Sequence, residues 1–111
     1  MVEHEKQPDS RETVLRREYH GQTARIPWKE LQTYYARGSV VAVASTLDLV
    51  EVAVQLGLDN TQTFEQWIAA GDVAGVNEAQ AQQWFDQEAE LWAVVAAPWV
   101  LVQEKRADEK T

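Results

Sequence analysis

The chain has 111 residues, 45% of them hydrophobic, a formal net charge of −8 and no cysteine. This length suits one domain with one core, and the charge excludes long-range attraction to nucleic acid or to an anionic membrane, so neither is expected as a partner. The missing cysteine excludes a disulfide framework, a thiolate zinc site and a cysteine nucleophile.

Residues 1–9 and 105–111 are polar and charged and are expected to be disordered tails around a single domain over 10–104. The opening Met1-Val2-Glu3-His4-Glu5-Lys6 lacks the apolar stretch of a secretory signal, so a cytoplasmic location is expected. Asp9 and Glu12 have capping-box spacing, Val14, Leu15 and Tyr19 form an apolar stripe, and Gly21 suits a stop, predicting a helix over about 10–20. Pro27 fits the first position of a second helix, with Trp28, Leu31, Tyr34 and Tyr35 on one face and Gly38 at its end. Ser39 through Ala44 is short and β-branched, a first strand.

Ser45, with Asp48 three residues on, fits the start of a third helix, apolar over 47–58 except for Asp48, Glu51 and Gln55. Those three share one side, the only stripe of that helix able to meet water. Asn60 and Thr61 open a helix carrying Phe64, Trp67 and Ile68 that ends at Gly71. Asn77 and Gln80 resemble a capping box for a fifth, whose apolar face is Trp84 and Phe85.

The chain then closes on Leu91 through Val102, twelve residues without a charge. A membrane-spanning helix needs roughly 20 such residues. Pro98 and the many valines favour extended structure, and the lack of strict alternation predicts a strand covered on both faces. Ala96, Ala97 and Pro98 offer no residue suited to the positive φ of a tight hairpin, so a bent or interrupted strand is favoured over a hairpin. The expected fold is α+β: a small two- or three-stranded sheet packed by four to five helices in a single domain. If the first and last strands are neighbours, the long helical connection permits them to run parallel.

Chemistry is sparse. His4 and His20 have no metal-ligand partner at useful spacing, and Ser10, Ser39 and Ser45 lack a nucleophile-elbow context, so no catalytic residue, metal or cofactor is assigned. Free amides at Ser45 and Thr46 could hold an anion, but no glycine or basic residue accompanies them. The candidate ligand-binding residues are Asp48, Glu51 and Gln55, because acids on an otherwise apolar helix require partners. Five tryptophans exceed what one small core usually needs, and Trp28, Tyr34, Tyr35 and Trp99 are the candidate interface.

The segments Ile26-Pro27-Trp28-Lys29-Glu30-Leu31-Gln32, Gly38 through Val54, Asp59-Asn60, Trp67, Leu91-Trp92-Ala93-Val94-Val95 and Pro98 through Glu104 together resemble a family of small uncharacterised bacterial proteins, domain of unknown function 2288. Members often carry Asp-Pro where this chain has Ala44-Ser45, which removes an acid at 44 and passes the capping duty to Ser45. The resemblance implies a bacterial, cytoplasmic, single-domain protein and carries no activity. The leading expectation is a non-enzymatic domain that binds a protein partner or a second copy of itself. The alternative is a small-molecule- or cation-binding protein, or a weak hydrolase, using Asp48 and Glu51.

Overall fold

The computed structural model describes residues 10–105. The expected tails at 1–9 and 105–111 lie outside that range except for Lys105. In chain order the elements are α1 (Arg11–Gln22), β1 (Ala24–Pro27), α2 (Trp28–Ala36), β2 (Val40–Val43), α3 (Leu49–Gly57), α4 (Thr61–Ala70), β3 (Val73–Gly75), α5 (Glu78–Asp86), β4 (Glu90–Ala96) and β5 (Trp99–Gln103). The strands form one five-stranded sheet in the order β1-β4-β5-β2-β3. This corrects the expected two- or three-stranded sheet, while the α+β class and the five helices stand.

Two strands escape sequence reasoning because they exist only through pairing. β1 is Ala-Arg-Ile-Pro, with its first two residues exposed, and it lies at the sheet edge, where Pro27 is tolerated. β3 is Val-Ala-Gly, antiparallel to β2, with Val73 opposite Val43. Neither has a periodicity of its own.

The terminal run is a correction too. It forms an antiparallel hairpin rather than one bent strand, with Val94 opposite Leu101 and Ala96 opposite Trp99. The Ala97–Pro98 peptide is cis. Proline then occupies the third position of the four-residue turn, an arrangement that needs no positive φ. β5 runs parallel to β2, with Val41 opposite Leu101.

Side chains alternate along β4 and β5, so the sheet serves two cores. On one face Leu91, Ala93, Val100 and Val102 pack with Trp28, Leu31, Ala81 and Trp84 of α2 and α5. On the other, Val94, Ala96 and Leu101 pack with Leu49, Val52 and Ala53 of α3, with Tyr19, Phe64 and Trp67 of α1 and α4 alongside. The sheet is thus sandwiched between helical layers.

Trp28 anchors the first core. Its ring lies 5.1 Å from that of Trp84 and 5.5 Å from that of Tyr35, both tilted. Its Nε1 has no partner among the described residues, an omission that costs about 1–3 kcal/mol and must be outweighed by burial of the ring.

Helix ends follow local chemistry. Ser10 caps α1, accepting from Thr13 N at 3.2 Å, and Asn77 caps α5, accepting from Gln80 N at 2.8 Å. Asn60 caps α4, which ends at Gly71 with φ 82°, the left-handed conformation that glycine adopts without a Cβ penalty. Pro27 is the residue before α2 rather than its first. The third helix begins later than expected: Asp48, not Ser45, is its cap, accepting from Val50 N at 2.9 Å and Glu51 N at 3.4 Å.

The double-sided burial sets the stability. Leu101 is fully buried at the centre of the sheet, and Leu101→Ala is expected to lower unfolding free energy by about 2–5 kcal/mol in denaturant titrations. Val95→Ala, on the same hairpin but exposed, should change it by less than about 1 kcal/mol.

Candidate functional site

The predicted carboxylate stripe is a structural joint. Asp48 spends its side chain on the first amides of α3, which also removes the anion site considered at that terminus. Glu51 accepts from Arg16 Nη1 of α1 and, at 2.7 Å, from Gln55 Nε2. Arg16 Nη2 also donates to Glu12 at 2.6 Å, and Gln55 Oε1 accepts from Asn60 Nδ2 at 2.8 Å. The chain Glu12, Arg16, Glu51, Gln55, Asn60 therefore ties α1 to α3 and to the cap of α4. Nearby, Arg11 Nη2 donates to Gly57 O at 2.7 Å. A Cβ on Gly57 would stand 3.0 Å from Leu15 Cδ1, so glycine lets α1 approach this closely.

Burial pushes the Glu51 carboxyl up, but the hydrogen bonds from Arg16 and Gln55 and the charge of Arg16 outweigh it and hold the group below the ordinary carboxylate range. Arg16 is correspondingly raised, by its hydrogen bonds to Glu51 and Glu12.

The expected interface residues divide. Trp28 is 1% exposed and belongs to the core, which removes it as an anchor for a partner. Tyr35 is half-buried against it. Trp99 is 37% exposed and, two residues before Leu101, belongs to the α3 face of the sheet, whereas Tyr34 at 41% is joined by Val95 at 53%, a residue sequence reasoning left inside a covered strand. Val95 lies on the face covered elsewhere by α2 and α5. Its neighbours Ile26, Leu31, Tyr34, Ala93 and Val100 line a groove of about 240 Å³ with it. On this face the described helices stop short of the hairpin end.

At the opposite end of β5 the surface is polar. β2 and β5, being parallel, finish side by side, and β3, antiparallel to β2, begins there. Ser45, Asp72, Gln80, Trp84, Gln103 and Glu104 are among the residues lining a cleft of about 240 Å³ at that edge. Trp84 Nε1 donates to Glu104 Oε2 at 2.7 Å, with Gln80 Nε2 at 3.4 Å from the same oxygen. Gln103 Nε2 donates to Ala44 O at 2.8 Å and Leu47 O at 2.7 Å, pinning β5 to the loop before α3. Sequence reasoning passed over this cluster. One signal was available: if Leu101 faces the core, Gln103 two residues on must face the same way.

These features define a small α+β domain built on a mixed five-stranded sheet with helices on both faces. Residues 14–104 match the family described as a protein of unknown function, DUF2288, and the chain belongs to that family. It is 38% identical to PA1075 from Pseudomonas aeruginosa, whose solution NMR structure is similar with a TM-score of 0.75, covering 89% of this chain and 92% of that one. No curated protein matches it.

The Glu51 joint predicts a pH signature. Because its carboxyl is held low in the fold, its contribution is fully present above the ordinary glutamate value of about 4.3 and is lost as pH falls through the depressed native value. Glu51→Gln should cost up to about 1 kcal/mol near pH 7, since both partners remain partly in water. In urea titrations repeated at decreasing pH, the gap between wild type and variant should close in acid.

Proposed function

We propose that this chain is a non-enzymatic bacterial cytoplasmic domain that works by self-association through the hairpin end of its sheet. The observation that carries this reading is Val95, a valine paired with the buried Val100 of β5 that is nevertheless 53% exposed. Tyr34 and Val95 line the same groove. An aromatic and a branched side chain at the rim of an apolar groove are the groups whose burial drives association. The bacterial setting is supported by the Pseudomonas aeruginosa relative. The paired state of Glu51, and the use of Asp48 as a cap, favour this reading over ligand binding at the α3 stripe.

A second copy fits the surface because an isologous contact lets one groove receive the Tyr34 or Val95 of the other. The net charge of −8 opposes the approach of two copies at long range, so added salt should strengthen rather than weaken the assembly.

Size exclusion with light scattering is expected to show a concentration-dependent dimer that gains population at higher ionic strength. Tyr34→Glu and Val95→Lys should each raise the dissociation constant at least about tenfold, or 1.4 kcal/mol, with circular dichroism unchanged. A strict monomer at all concentrations, or a dimer indifferent to both substitutions, contradicts the proposal.

A further inference from the structure

The first turn of α2 and the last turn of α5 border a groove of about 670 Å³ that also takes in the start of β4. Its apolar lining is Pro27, Trp84, Phe85 and Ala89. Phe85 is 49% exposed there, a large apolar side chain on a helix face that no other part of the described chain covers. The charges around the groove identify what covers it.

Four carboxylates rim it, those of Glu30, Asp86, Glu88 and Glu90, against the single ammonium of Lys29. Glu90 is partly answered by Arg25, whose Nε stands 3.7 Å away, and Asp86 Oδ1 accepts from Gln82 Nε2 at 2.9 Å. Glu30 and Glu88 make no hydrogen bond or ion pair among the described residues. Helix polarity is an independent observation. Asp86 is the last residue of α5 and Glu88 follows it, at the end where the helix dipole is negative and favours a cation, yet the last turn of α5 holds no basic residue. Neighbouring sequence cannot supply one, because residues 38–104 contain neither lysine nor arginine. Like charges gathered on a negative dipole, beside an uncovered aromatic ring, break local rules with no compensation inside the domain, and conflicts of that kind fall at functional surfaces.

We propose that this groove docks a basic segment of a different protein, one that sets an apolar side chain against Phe85 and lysine or arginine side chains against Asp86 and Glu88. Charge complementarity selects this occupant: the rim is acidic, the α5 terminus adds to it, and the apolar floor requires an anchor that a bare cation lacks. A second copy of this chain is a poorer fit. It also carries −8, and its Arg11, Arg16 and Arg25 are already engaged with Gly57 O, with Glu51 and Glu12, and with Glu90. The groove lies at the start of β4, whereas Val95 lies near the other end of that strand. Hetero-association here is therefore independent of self-association at the hairpin, and either can fail without the other.

The test is a two-dimensional NMR titration of the ¹⁵N-labelled full chain with an acetylated, amidated helical peptide carrying lysines on one face and leucines on the other. The same peptide with glutamate for lysine, and spermine, are the comparisons. The expected result is saturable shifts centred on the Lys29, Phe85, Asp86 and Glu88 amides, and an affinity that falls at least about tenfold between low and high salt. The glutamate peptide should not bind, and spermine should bind at least about tenfold more weakly than the lysine peptide. Asp86→Asn with Glu88→Gln, and separately Phe85→Ser, should each weaken binding at least about tenfold with the spectrum still dispersed, whereas Val95→Lys should leave it unchanged. If a variant does not fold, the wild-type shift map, its salt dependence and the two comparison ligands decide. No saturable shift, shifts centred on Tyr34 and Val95, binding indifferent to salt, spermine binding as tightly as the peptide, or loss of binding in Val95→Lys overturns the proposal.

Discussion

β4 and β5 carry apolar side chains on both faces, and a strand pair of that kind is stable in water only if something covers it from both sides. Leu91 and Val102 demand cover from α2 and α5, while Val94 and Leu101 demand it from α3 with α1 and α4. Each such side chain contributes roughly 1.5–3 kcal/mol when fully withdrawn from water. The remaining architecture answers this demand. The segment between β2 and β5 is long because it must supply cover for both faces, and it permits the parallel pairing of those strands. The apolar surface of α3 is wide because it meets the sheet on one side and α1 and α4 on the others. Only its Asp48, Glu51 and Gln55 stripe remains for polar contacts, and the Arg16 network uses it to hold α1 in place.

What the sequence disclosed and what it concealed follow from the same physics. Elements with their own capping residues and a full apolar face were legible, as α4 and α5 show with Asn60, Gly71 and Asn77. The double burial of the final apolar run was legible from its lack of alternation. β1 and β3 were not, because four and three residues of mixed character become strands only when a neighbour offers its free edge. The hairpin was missed because a cis proline turn bypasses the positive-φ residues by which tight turns are recognised. Capping was misplaced by three residues because Ser45 and Asp48 are both competent caps, and packing of Leu49 into the core decides between them.

The candidate sites show the same division. Acids on an apolar helix were correctly read as needing partners, but the identity of the partner, Arg16 on a helix 35 residues away, is a tertiary fact. The same central strands that organise the core end in two unlike surfaces. At the hairpin the layer of α2 and α5 falls short and leaves Tyr34 and Val95 in water. At the other end of β5, Gln103 and Glu104 interrupt the apolar run and meet Asp72 and Trp84 around a polar cleft. Both surfaces are consequences of where the apolar run starts and stops relative to the helices that cover it.

The claim that the uncovered hairpin end is completed by a second copy is tested most directly by an isotope-filtered NOE experiment on an equimolar mixture of ¹³C-labelled and unlabelled chains. The account predicts intermolecular NOEs from the Val95 methyl groups to the ring protons of Tyr34. Intermolecular NOEs arising elsewhere, or their absence at concentrations where relaxation reports a dimer, would contradict it.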